Sequence, residues 1–120
     1  MSTKDIVSTD AMNTPDFNTL FRDAGEWQLK TFPDANAISK LFHLEEEIKE
    51  IKEAITTSGI PIKHIDHEYA DAMLLLVGSW MARGRSPEEL LVVVKDKLRI
   101  CKGRTWGKPD ANGVVKHIKD

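Results

Sequence analysis

The stretch His43-Leu44-Glu45-Glu46-Glu47-Ile48-Lys49-Glu50-Ile51 decides the reading of this chain, together with a shorter echo at Glu68-Tyr69-Ala70-Asp71. Apolar residues at positions 44, 48 and 51 recur at helical spacing, so the first stretch is an amphipathic helix. Glu47 and Glu50 stand three apart, as do Glu68 and Asp71. On a helix that spacing puts both side chains on one face, about 5–6 Å apart at Cβ. The like-charge pairs Glu46–Glu50 and Glu47–Glu50 each cost a few tenths of a kcal/mol, roughly 0.2–0.5, in a bare helix. A sequence tuned for helix stability alone would avoid both. Two such pairs on facing helices would converge four carboxylates, a donor set suited to hard divalent cations such as Mg²⁺ or Mn²⁺. A carboxylate-held metal cluster in a helical protein suggests phosphate chemistry.

The competing reading is a solvated face, in which Glu45–Lys49 and Lys49–Glu53 make ordinary surface pairs. Glu47 adjoins the apolar residues Leu44, Ile48 and Ile51 and need not point fully to water. Glu68 and Asp71 could instead serve the helix dipole, if the third helix starts beside them. Asp71, however, leads into Ala72-Met73-Leu74-Leu75-Leu76. A carboxylate entering a buried segment must be paired, protonated or metal-bound.

Outward from these motifs the pattern stays helical. Phe17, Leu20, Phe21, Ala24 and Trp27 mark a first helix, which Phe32-Pro33-Asp34 breaks. A second runs from about Ala37 to Thr57 on the stripe Ile38, Leu41, Leu44, Ile48, Ile51 and Ile55, and Ser58-Gly59 stops it. Asp66 reads as the N-cap of a third helix reaching about Arg83. That helix carries no charge between Ala72 and Ala82, so it is expected to be buried all round, in a bundle or an oligomer interface. Gly84 ends it. Ser86-Pro87-Glu88-Glu89 reads as a capping box opening a fourth helix, with Leu90, Leu91, Val94, Leu98 and Cys101 inward. Pro109 to Gly113 is turn chemistry. The expected organisation is a flexible N-terminal arm (1–16), an all-α domain (17–106) and an irregular C-terminal tail (107–120).

The chain has 120 residues, enough for one domain that gains from self-association, and a formal net charge of −2. That balance argues against a general nucleic-acid coat. A single cysteine, Cys101, excludes an intramolecular disulfide framework and a cysteine-based zinc site. Without a long apolar stretch or a signal-peptide core, the protein is expected to be soluble and cytoplasmic, with no membrane partner. Lys95, Lys97, Arg99, Lys102, Arg104 and Lys108 make the C-terminal third basic. The helix dipole accounts for about half of this cluster; phosphate binding by Lys97 and Arg104 is the functional reading. Trp27, Gln28 and Phe32 could stack and read a base, or Trp27 and Phe32 could simply be core. The four histidines form no metal motif; His43 reads as a structural or supporting donor.

Taken together, Glu46-Glu47-x-x-Glu50 and, seventeen residues on, Glu68-x-x-Asp71 resemble the signature of the MazG-type all-α nucleoside triphosphate pyrophosphohydrolases. Trp27-Gln28, Thr31-Phe32-Pro33, His43-Leu44, Lys97-Leu98 and Arg104-x-Trp106-Gly107 resemble the dATP/dGTP diphosphohydrolase branch, including phage MazZ-like enzymes. The tail from Pro109-Asp110 through Gly113-Val114-Val115 to His117 is similar too.

The resemblance implies a four-helix MazG-like bundle completed by oligomerisation, as a homodimer or homotetramer. It implies Glu47, Glu50, Glu68 and Asp71 as metal ligands, with Glu46 a further ligand or water-orienting group. Two or more Mg²⁺ ions per site, or Mn²⁺, would activate water for attack between the α and β phosphates. Lys97 and Arg104 would stabilise the polyphosphate, and Trp27, Gln28, Phe32 and Trp106 would contribute to substrate binding. Cys101 stands where the family usually has Asn, and a thiol cannot reproduce an amide's donor and acceptor. The implied substrates are purine deoxynucleoside triphosphates, dGTP ahead of dATP, giving a monophosphate and pyrophosphate. In a phage, working in the host cytoplasm, that reaction could feed synthesis of a modified purine such as 2-aminoadenine. Three other readings stand beside it: a pyrophosphatase for dCTP, dUTP or a noncanonical nucleotide; a non-catalytic helical interaction module; and a small nucleic-acid binder.

Overall fold

In a computed structural model, residues 15–119 are described, and the secondary structure among them is four helices and one isolated antiparallel bridge. The arm expected over residues 1–16 falls mostly outside the described residues. Its last residue, Asp16, is the N-cap of α1 (Phe17–Thr31), accepting from the Thr19 amide at 2.8 Å. The helix stops at Phe32, before Pro33. α2 (Ala37–Thr56) opens on a capping box in which Asn36 and Ser39 exchange hydrogen bonds of 2.8 Å.

α3 (Ile62–Ala82) starts at Pro61, not at Asp66. With φ −60° and ψ 140°, Pro61 is set to lead into a helix. Glu68 now lies in the second turn and Asp71 in the third, beyond the first turn where the dipole would account for them.

α1, α2 and α3 form one compact unit, in which α3 packs on both α2 and α1. Phe21, Ile51, Ala54 and Val77 are its buried apolar residues. The buried face of α2 reads Lys40, Leu44, Glu47, Ile51, Ala54, with Leu44 half-buried. This corrects the expected stripe, since Ile38, Leu41, Ile48 and Ile55 are exposed. α3 is not buried all round within the chain either: Val77, Gly78 and Ser79 are, while Met73, Leu74 and Leu76 are exposed. Ser79 Oγ donates to the Ala37 carbonyl at 2.8 Å, tying α3 to the start of α2. After Gly84 (φ +80°), Trp80 donates to the Ser86 carbonyl while Arg83 and Arg85 lie over its ring.

Most of α4 (Pro87–Lys102) belongs with the tail to a second unit. Pro87 opens the helix as expected, but Leu91, Val94 and Leu98, expected inward, are exposed. In the tail Asp110 and Gly113 (φ +80°) make the turn, and the bridge pairs Trp106 with His117. No helix among the described residues is long and apolar enough to cross a membrane.

Candidate functional site

α2 delivers Glu47 and Glu50 from adjacent turns, and α3 delivers Glu68 opposite them. One carboxylate oxygen from each lies within 4.8 Å of the others. Glu47 is buried, Glu68 half-buried and Glu50 exposed, so the cluster opens to solvent on one side. Burial first, and then hydrogen bonding to and repulsion from Glu68 and Glu50, push Glu47 up to about 8. The Glu68 Oε2 atom is buried and lacks a hydrogen-bond partner, while Oε1 has His64 Nε2 at 3.8 Å. An orphaned buried carboxylate oxygen inside an all-oxygen donor set fits a hard divalent cation.

Asp71, expected as a fourth ligand, does not join this group. It sits exposed, about one turn along α3 from Glu68, and lines a neighbouring cavity. The argument that burial would force it to find a partner therefore does not apply. Glu46 is exposed and outside the three-carboxylate group.

The cavity has a volume of about 530 Å³ and is walled by α1, α2 and α3. Glu47 belongs both to its lining and to the carboxylate cluster. Trp27 and Phe32 meet edge to face at 5.5 Å on its rim, both about half exposed and so outside the buried core. Gln28 is 6 % exposed. Its Nε2 donates to the Leu74 carbonyl at 3.2 Å, and its Oε1 accepts from Lys40 Nζ at 2.7 Å. Lys40 is equally buried, and desolvation pulls its pKa below the ordinary lysine range. Gly78 makes room for the Gln28 amide, since a Cβ there would collide with it. His43 and Ser39 complete the polar lining.

The second unit holds the remaining expected residues. Lys97 is exposed on α4. Trp106 Nε1 donates to the Cys101 carbonyl at 3.0 Å and stands edge-on to His117, so Trp106 pins the tail to the end of α4. Arg104 lines a separate cavity of about 350 Å³ with His117 and Lys119.

The profile of the dATP/dGTP pyrophosphohydrolase family matches residues 20–120. The chain belongs to that family. It is therefore a nucleoside triphosphate pyrophosphohydrolase, of the MazG-like all-α kind that its motifs resemble. No curated protein matches it. Among solved structures, the fold is similar to that of a cyanophage S-2L MazG-like pyrophosphohydrolase bound to dGDP and three catalytic Mn²⁺ ions per active site. The two are 23 % identical with a TM-score of 0.69, and the match covers 88 % of this chain and 96 % of that one.

Lys40 and Leu74 were missed by sequence reasoning. The available signal was the seven-residue recurrence 40, 44, 47, 51, 54, which follows one helix face through two charged residues.

Proposed function

We propose that this pyrophosphohydrolase cleaves purine deoxynucleoside triphosphates between the α and β phosphates, dGTP ahead of dATP, releasing a monophosphate and pyrophosphate. The observation that carries this reading is the shared Glu47, which joins a cavity of aromatic and amide groups to a carboxylate cluster. A base held against Trp27 and Phe32 has its phosphates within reach of the carboxylates. The S-2L protein's dGDP and Mn²⁺ support the same reading.

Glu47, Glu50 and Glu68 would hold divalent cations, Mg²⁺ or Mn²⁺, with Asp71 a further ligand from the cavity side. Such ions, when bound, acidify water and neutralise phosphate charge. The chain's own part is to position. Trp27 and Phe32 stack on the base. Lys97 and Arg104 are assigned to the polyphosphate on their resemblance to the family motif, as are Cys101 and Trp106 to substrate binding and Glu46 to orienting water.

The exposed apolar residues of α3 and α4 support association into a dimer or tetramer. Action in a cytoplasm, in a phage that makes a modified purine, is the setting that fits dGTP removal and dGMP supply.

The test is incubation with each canonical NTP and dNTP, with Mg²⁺, Mn²⁺ or EDTA, and chromatography of the products. Cation-dependent formation of dGMP and pyrophosphate, abolished in Glu50→Gln, is expected. Turnover confined to pyrimidine nucleotides would overturn the substrate assignment.

A further inference from the structure

A buried ammonium group at the base end of the cavity is a feature the carboxylate chemistry does not use. Lys40 is 6 % exposed, lines the cavity beside Trp27 and Phe32, and has Gln28 Oε1 at 2.7 Å. The Gln28 amide cannot turn over. A flip would set its NH₂ against the Lys40 ammonium and its oxygen against the Leu74 carbonyl, two repulsions in place of two hydrogen bonds. Gly78 leaves the room that this amide occupies. Gln28 thus serves as a bracket that holds Lys40, and its own acceptor is already engaged.

An ammonium has three donors and no acceptor. Gln28 takes one, and the other two need acceptors in a place with little access to water. Lys40 and Glu47 share one face of α2, seven residues apart, which is about 10 Å along the helix axis. Lys40 is therefore two turns from the cluster that would take the phosphates, at the end where the aromatic pair would receive the base.

Guanine offers two adjacent acceptors, O6 and N7, on one edge. Adenine offers N7 beside a 6-amino group, which is a donor. A donor-only group bracketed at this depth meets both guanine acceptors but leaves an adenine amino group facing a cation. We propose that Lys40 is the specificity-determining residue of the site, reading O6 and N7 of guanine and thereby setting dGTP above dATP. The proposal rests on the pyrophosphohydrolase reading of the cavity and gives it a discriminating residue.

The experiment measures kcat/KM with Mn²⁺ for four substrates: dGTP, dATP, dITP and the deoxynucleoside triphosphate of 2-aminopurine. The full chain and Lys40→Met are compared, with circular dichroism to confirm folding. Hypoxanthine keeps O6 and N7 but lacks the 2-amino group, whereas 2-aminopurine keeps the amino group and N7 but lacks O6. In the unaltered protein dITP should therefore follow dGTP, and the 2-aminopurine nucleotide should fall with dATP. In a folded Lys40→Met protein the dGTP/dATP ratio should collapse toward one, a change of about 5- to 150-fold, the range a bidentate lysine–guanine pair supplies.

A folded variant that keeps the ratio would overturn the proposal and leave Lys40 a structural partner of Gln28. If the variant does not fold, the base series decides alone: a 2-aminopurine nucleotide cleaved as well as dGTP overturns the proposal. Hydrolysis of neither dGTP nor dATP by the unaltered protein would overturn the purine reading and this inference together.

Discussion

Glu47 is where packing and chemistry conflict in this protein, because a carboxylate placed beside Ile51 and two other carboxylates is costly to ionise. Its pKa stands at about 8, against an unfolded value near 4.5. Between those values the folded state holds a proton that the unfolded chain has lost, so stability falls as pH rises. Thermal unfolding in EDTA should therefore show a Tm that declines from about pH 4.5 to pH 8 in the unaltered protein. That decline should flatten in Glu47→Gln, which has no charge to bury. Adding Mn²⁺ should raise Tm more at pH 8 than at pH 5.5, because cation and proton compete for one carboxylate. A Tm that rises with pH in EDTA would contradict the burial. Gly78 carries a second prediction at this scale. Alanine is the better helix former by about 1 kcal/mol, yet a Cβ at position 78 meets the Gln28 amide, whose Cδ would be 2.9 Å away. Overpacking of that kind costs about 1–3 kcal/mol, so Gly78→Ala should lower stability in urea titration. A stabilised variant would mean that Gln28 moves freely.

At the scale of elements, three helix starts carry the site, and each has its own device. Asn36 closes the capping box of α2 and so fixes where Ser39, Lys40 and Glu47 emerge. Asn36→Ala should cost about 1 kcal/mol, within a range of roughly 0.5–2, and Asn36→Gly only a few tenths, read from chemical denaturation. The ends of α1, α2 and α3 were legible in the sequence because Phe32-Pro33, Ser58-Gly59 and Gly84 interrupt the pattern sharply. The start of α3 was not. Asp66 has the chemistry of a cap, but a proline with helical φ can begin a helix earlier, and no side-chain signal distinguishes the two. The Glu47–Glu50 pair was readable because i,i+3 spacing fixes a face whatever the tertiary packing, whereas the place of Glu68 opposite it depends on how α3 packs on α2. Lys40, by contrast, is one charged residue among exposed and buried apolar ones. Which face of α2 turns inward depends on how α3 crosses it, and the isoleucines at 38, 48 and 55 point elsewhere. Asp71 was assigned by the same local logic as Glu68, but one turn further along α3 it lines the cavity and stays exposed.

For the molecule as a whole, large apolar side chains stand exposed in both units. Leu76 is 51 % exposed on α3, Val92 68 % and Val94 53 % on α4, and Ile38 61 % on α2. A monomer rarely leaves so many large side chains in water, and α3 has no charged residue between Ala72 and Ala82 to keep that surface soluble. A second copy of the chain would supply the same apolar surfaces in return, because a two-fold interface is self-complementary and each residue counts twice. Full burial of one leucine side chain stabilises by about 1.5–3 kcal/mol. Leu76 is already half covered within the chain, so a symmetric dimer that buries it fully gains about 1.5–3 kcal/mol from its two copies together. Light scattering at micromolar concentration should give at least the dimer mass, and Tm should rise with protein concentration. Leu76→Lys, which places two like charges at such an interface, should shift the mass toward the monomer and remove the concentration dependence. A monomeric unaltered protein with a concentration-independent Tm would mean that these side chains stand in water by some other arrangement. A dimer undisturbed by Leu76→Lys would move the interface off this face of α3 and leave α4 as its site.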